Sequence, residues 1–226
     1  MDLRWHPSPN FTVRPEGERP ELVVIHFTAM ESCAAALERL CDPVAEVSSH
    51  YLIGHDGTVW HMVEEEMRAW HAGVSTWAGR ARVNHRSIGI ELDNRGTHPF
   101  AEPQMAVLEQ LLADILQRWG IPPEGVVGHS DIAPERKQDP GPRFDWQRLA
   151  RQGLSVWPQA VGQGDPYAFR ADLRRIGYPD DAPDAVLQAF RDRFRPGATG
   201  PVDATDAAIA RDLAERFGVD RDTASA

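Results

Sequence analysis

Runs of apolar residues alternate in kind along this chain, and the alternation predicts its architecture. Leu22-Val23-Val24-Ile25-His26-Phe27 is short, β-branched and continuously apolar, the pattern of a strand buried on both faces. Residues 31–42 read as a helix with Cys33, Leu37, Leu40 and Cys41 on one side. Residues 50–54 and 58–63 read as strands around Asp56-Gly57, a two-residue hairpin signal. Ser87-Ile88-Gly89-Ile90-Glu91-Leu92 is a further strand. Residues 103–119 form the clearest helix, with Leu108, Leu111, Leu112, Ile115, Leu116 and Trp119 on one stripe. Pro103 suits its first turn, and Gly120 followed by Pro122 suits its end. Val126-Val127 is a short strand that leads into Gly128-His129.

Strands alternating with helices predict an α/β fold, a mixed central sheet flanked by helices. Residues 1–21, rich in Pro and charge, read as an irregular lead-in. Residues 70–86 are aromatic, Gly-containing and aperiodic, which predicts a long surface loop of the kind that tends to be functional. Near residues 157–166 the texture turns to Pro, Gly and Gln, as in a linker. Beyond it, Phe169/Leu173/Ile176, Leu187/Phe190/Phe194 and Ile209/Leu213/Phe217 mark three helical stretches. The predicted division is a first domain over 1–157, a linker over 158–166 and a small three-helix domain over 167–226. A unit that small is marginal alone, so it is expected to lean on the first domain.

Charge and cysteine usage narrow the partners. The 226 residues carry 24 Lys and Arg against 34 Asp and Glu, a net charge of −10. That argues against nucleic-acid binding through a broad basic face. No apolar run approaches the ~18 residues of a membrane span, and the N-terminus shows no apolar signal region. The expectation is a cytoplasmic protein that does not bind a membrane. Cys33 and Cys41 lie eight residues apart on one predicted helix, about 12 Å along its axis and too far for a disulfide. Both are expected to be buried as small apolar residues. The pattern does not predict an oligomeric state.

Candidate chemistry begins with an oddity. The chain has one lysine, Lys137, and carries the rest of its positive charge as arginine. Drift toward arginine would explain this. So would one position that needs a compact ammonium rather than a planar guanidinium. His26 ends a buried strand, His129 stands at a second strand end, and Asp139 follows ten residues later. Two histidines and a carboxylate on separate elements make a three-ligand zinc site with an open fourth position. A strand-end histidine is also an ordinary core residue, and nine histidines allow many other triplets. No His-Glu-x-x-His is present, which excludes the helix-borne zinc protease arrangement. In the strand 87–92, alternation puts Ile88, Ile90 and Leu92 on one face and Gly89 and Glu91 on the other. A carboxylate in so apolar a strand has a raised pKa, as a general base needs, unless an arginine pairs with it.

Six segments in register resemble the zinc-dependent N-acetylmuramoyl-L-alanine amidases of the AmpD type, the bacterial relatives of peptidoglycan recognition proteins. They are Val24-Ile25-His26-Phe27-Thr28, Ser48-Ser49-His50-Tyr51-Leu52-Ile53 with Asp56-Gly57-Thr58-Val59, and Ala69-Trp70-His71-Ala72-Gly73. They continue with Asn84-His85-Arg86-Ser87-Ile88-Gly89-Ile90-Glu91-Leu92, Gly128-His129-Ser130-Asp131-Ile132-Ala133-Pro134 and Arg136-Lys137-Gln138-Asp139-Pro140-Gly141-Pro142.

The resemblance covers residues 8–157. It implies that His26, His129 and Asp139 hold one Zn²⁺, and that Glu91 and Lys137 are catalytic. It implies that Arg82, Asn84, Trp70 and His71 contact the stem peptide, with His50 either at the substrate or behind the site. The implied reaction is hydrolysis of the amide between the lactyl group of N-acetylmuramic acid and L-alanine, on 1,6-anhydro-muropeptides in cell-wall recycling. The alternatives are a periplasmic or secreted amidase acting on intact peptidoglycan, or a module that binds muropeptide without cutting it. In the tail, Gly177-Tyr178-Pro179, residues 186–196 and Gly200-Pro201-Val202-Asp203 resemble a three-helix peptidoglycan-binding domain. The other reading is a helical appendage that only packs on the catalytic domain.

Overall fold

The computed structural model describes residues 3–159 and 162–219. Residues 160–161 of the predicted linker and 220–226 of the predicted helical domain lie outside them, as do residues 1–2. The elements run β1 (Leu3–Trp5), β2 (Phe11–Val13), β3 (Leu22–Phe27), α1 (Cys33–Cys41), β4 (Tyr51–Ile53), β5 (Val59–His61), β6 (Met67–Ala69), β7 (Thr76–Trp77), β8 (Arg80–Ala81) and β9 (Ser87–Leu92). They continue with α2 (Glu102–Trp119), β10 (Val126–Gly128), α3 (His129–Ile132), α4 (Trp146–Arg151), α5 (Phe169–Ile176), α6 (Pro183–Phe194) and α7 (Ala204–Phe217).

A six-stranded mixed sheet in the order β1-β5-β4-β9-β3-β10 forms the centre. The four strands β4, β9, β3 and β10 run parallel. Strand alternation sorts their side chains into two layers. Val23, Ile25, Ile88, Ile90 and Val126 face the Leu108–Leu112–Ile115 stripe of α2. Leu22, Val24 and Val127 face the other way, against Leu173, Phe190 and Leu213 of α5, α6 and α7. Helix α2 ends as its sequence predicts, with Gly120 at φ 67° and its N–H bonded to the Leu116 carbonyl. The fold is the expected one, a central sheet with helices on both faces, and the C-terminal helices do lean on it.

Four local expectations change. The lead-in contains two strands: β1 pairs with β5 at the sheet edge, and β2 pairs with β6. The hairpin loop is one residue longer than its signal, because Gly54 N–H bonds the Thr58 carbonyl around residues 55–57. The segment 70–86 is a surface loop only in part: Gly73, Val74 and residues 79–82 are exposed, but the rest is anchored inward. Ala72 and Val83 are fully buried and Trp77 nearly so, wedged among side chains of the C-terminal helices. Cys33 and Cys41 are free and half-buried rather than buried; burial still pushes the Cys33 thiol up to about 11.

Candidate active site

Three adjacent parallel strands end on one side of the sheet, and that is where open α/β sheets bind ligands. His26 sits one residue from the end of β3, paired in register with Glu91 on β9. His129 follows β10 directly. Asp139 arrives on the loop after α3, held down by the Ser130 N–H on its carbonyl at 2.9 Å. Three ligand atoms meet there. His26 Nδ1 lies 2.9 Å from both His129 Nδ1 and Asp139 Oδ2, and His129 Nδ1 lies 3.1 Å from Asp139 Oδ2. All three residues are buried.

The hydrogen bonds behind this triangle settle its tautomers. Ser87 has one hydroxyl proton and donates it to the Val83 carbonyl at 2.7 Å, so its oxygen accepts from His71 Nε2–H at 3.2 Å. His71 Nδ1 is then left to accept, and His26 Nε2–H donates to it at 3.1 Å. His129 Nε2–H donates to the Ala72 carbonyl at 3.2 Å. Both Nδ1 atoms therefore carry lone pairs into the triangle. Burial, followed by the neighbouring His129, lowers His26 to about 4, so it is neutral at pH 7. Three lone-pair atoms this close, with no proton between the two nitrogens, repel unless a cation joins them. A tetrahedral zinc site with bonds near 2.0–2.1 Å spaces its ligands by about 3.3 Å. The donor set fits.

Gly89 leaves the space that His71 fills: a Cβ there would stand 2.5 Å from the His71 ring. His71→Ala is expected to weaken zinc binding by about 10–100-fold, the usual cost of losing the partner that orients a ligand. Competition against a chelating dye measures this, and wild-type affinity in the variant would show that His26 needs no such support.

A cleft of about 590 Å³ opens over the triangle, lined among others by Glu91, Lys137, Trp70, His71, Met30 and Arg39. Glu91 makes no ion pair among the described residues, and its buried Oε2 has no hydrogen-bond partner there. That decides between the two readings of this carboxylate. Burial, and then the Asp139 charge, raise it to about 8, while Lys137 pulls it the other way. Lys137 is half-buried on the cleft wall.

The structure does not gather every expected residue. His50 is fully buried, accepting from the Gly89 N–H at 2.9 Å and donating to the Met67 carbonyl at 3.1 Å. It braces β9 from behind and does not reach the cleft, which corrects the substrate-contact reading. Asn84 Oδ1 accepts the N–H groups of His71 and Ala72, so it shapes the cleft wall from outside. Arg82 is exposed at φ 60° and stands apart from the cleft lining. One organising residue escaped the sequence reading. Arg14, almost fully buried, donates to the carbonyls of Glu65, Asn84, His85 and Ser87 and thereby ties β2 to the turn before β9. No motif marked it, because it lies in the Pro-rich lead-in.

Comparisons with known proteins agree with this geometry. Residues 16–142 match the profile of a family described as N-acetylmuramoyl-L-alanine amidase. The chain is 41% identical to the N-acetylmuramoyl-L-alanine amidase AmiD of Escherichia coli, over 89% of this chain and 85% of that protein. It is 39% identical to the 1,6-anhydro-N-acetylmuramyl-L-alanine amidase AmpD of Enterobacter cloacae, over 66% of this chain and 89% of that one. The solved complex of E. coli AmiD with anhydro-N-acetylmuramic acid-L-Ala-D-gamma-Glu-L-Lys superimposes with a TM-score of 0.82 at 39% identity, covering 91% of this chain and 93% of the other.

Proposed function

The chain belongs to the N-acetylmuramoyl-L-alanine amidase family, and from that premise we propose how its residues divide the work. The enzyme hydrolyses the amide between the lactyl group of N-acetylmuramic acid and the L-alanine of the stem peptide. Its partners are peptidoglycan fragments, and 1,6-anhydro-muropeptides released in wall recycling are its substrates. The observation that carries the mechanism is the lone-pair triangle of His26, His129 and Asp139 beside Glu91, whose buried Oε2 has no hydrogen-bond partner among the described residues.

His26, His129 and Asp139 hold the zinc ion. Bound there, zinc would supply Lewis-acid chemistry, lowering the pKa of a water toward neutrality. Glu91 takes the proton from the attacking water, a transfer its raised pKa suits. As the carbonyl oxygen gains charge, the Lys137 ammonium on the cleft wall stabilises it. Glu91 then returns the proton to the departing L-alanine nitrogen. Trp70 and His71 line the groove for the stem peptide. Arg82 and Asn84 act at its margin, Asn84 by fixing the backbone of residues 71–72.

The division into a catalytic domain over 1–157, a linker over 158–166 and a helical domain over 167–226 belongs to the same proposal, as does peptidoglycan binding by that last domain. Among the described residues no helix is long and apolar enough to cross a membrane. The cytoplasm is the proposed compartment, supported by two free cysteines.

The test compares soluble anhydro-muropeptide, reducing-end muropeptide and whole sacculi as substrates of the zinc-loaded protein, each with and without chelator. The expected result is fastest release of stem peptide from the anhydro form, lost on chelation and restored by zinc. Faster release from sacculi would move the enzyme to the intact wall. Binding without cleavage of any substrate would make it a recognition module.

A further inference from the structure

Asp131 is a buried carboxylate two residues beyond a metal ligand, and its partners come from the far end of the chain. It is 1% exposed. Its Oδ2 accepts the Gly128 N–H at 2.8 Å, closing the turn that starts α3 at His129. The same oxygen takes Arg193 Nη1 of α6 at 2.6 Å. Its Oδ1 accepts the Tyr178 hydroxyl at 2.6 Å, from the corner after α5.

Arg193 holds the other side of His129 as well. Its Nη2 donates to the Val126 carbonyl on β10 at 3.0 Å and to Ser155 Oγ at 3.2 Å. Its guanidinium lies over the Trp146 ring at 4.1 Å, and the residue is 4% exposed. One planar guanidinium thus bonds both the strand before His129 and the helix that His129 begins. A guanidinium suits that task because its donors have a fixed fork geometry. The same corner also holds the segment before β9: the Gly177 carbonyl accepts the Ala78 N–H at 2.8 Å, and the Tyr178 ring meets Trp77 edge-on.

We infer that Tyr178 and Arg193 are positioning residues of the metal site: through Asp131 and the Val126 carbonyl, the C-terminal helices fix the direction in which His129 presents its Nδ1. An appendage that merely covered the sheet would need only the apolar contacts of Leu173, Phe190 and Leu213. It would not need two charged or hydroxyl groups converging on the six residues around a metal ligand. The inference rests on the zinc-site reading above and adds to it a role for the tail that is separate from glycan binding.

The test uses the full chain and reads metal rather than turnover. Zinc affinity is measured by competition with a chelating dye, and ligand geometry by the visible spectrum of the cobalt(II)-substituted protein. Tyr178→Phe and Arg193→Met are each expected to weaken zinc about tenfold, the low end for groups that orient a ligand indirectly, and to alter the cobalt spectrum. Arg191→Met is the control. It breaks the buried Arg191–Asp206 pair inside the tail without touching Asp131, and should lower the melting temperature while leaving zinc affinity and spectrum as in the wild type. Wild-type affinity and spectrum in Tyr178→Phe overturn the inference, whatever the folding of Arg193→Met. So does an Arg191→Met variant that loses as much affinity as Arg193→Met, since the tail would then act only through overall stability. A wild-type chain that binds no zinc overturns the metal site itself, a result distinct from either.

Discussion

Glu91→Ala is expected to bind zinc as the wild type does and to release stem peptide about 10²–10⁴-fold more slowly, the range over which a positioned acid–base group contributes. The carboxyl sits beside the ligand triangle without joining it, since Oε2 has no partner among the described residues. Burial holds its pKa near 8 in the metal-free chain, so it exchanges protons near neutral pH. Zinc content by metal analysis and single-turnover rates on an anhydro-muropeptide separate the two parts of the claim. A variant that loses zinc together with activity would make Glu91 a structural support of the site rather than its base.

Lys137→Met is expected to cost about 10²–10³-fold in turnover with zinc retained, the usual cost of removing one donor from a developing oxyanion. Lys137→Arg should also be impaired, although this chain uses arginine for all its other basic side chains. A guanidinium is planar and wider than an ammonium, so it does not place its charge at the same point. A second readout follows from electrostatics. Lys137 lowers the Glu91 carboxyl, so removing its charge lets that pKa rise. The limb of kcat/KM that reports ionisation of Glu91 should move to higher pH in the Met variant and stay near its original place in the Arg variant. Equal pH profiles in all three proteins, or wild-type turnover in Lys137→Met, would remove Lys137 from the mechanism.

Much of the fold was legible because its signals are local. The continuous run Leu22–Phe27 and the alternating run Ser87–Leu92 each matched a strand to the residue. The stripe of α2 gave its ends within one residue, because proline and glycine mark helix ends by backbone geometry alone. Strands β1 and β2 were missed for the converse reason. Leu3–Trp5 and Phe11–Val13 are exposed or half-buried triplets whose extended form depends on their partners, Val59–His61 and Met67–Ala69. The segment 70–86 looked like a surface loop throughout because burial against the C-terminal helices leaves no periodic mark.

The site divides along the same line. By itself the sequence pointed to the family, which the comparisons show, and through that resemblance to a proposed ligand set and two proposed catalytic groups, since those depend on which residue types occupy a motif. Only the tertiary structure decided what holds them. The relay from His26 through His71 and Ser87 to the Val83 carbonyl, and the clamp of Arg14 on four carbonyls, each join several separate segments. So does the closure of Asp131 by Tyr178 and Arg193, 47 and 62 residues away. A hydrogen bond requires two atoms within about 3 Å. Residues that far apart in the chain reach that distance only once the sheet and both of its helical layers have packed.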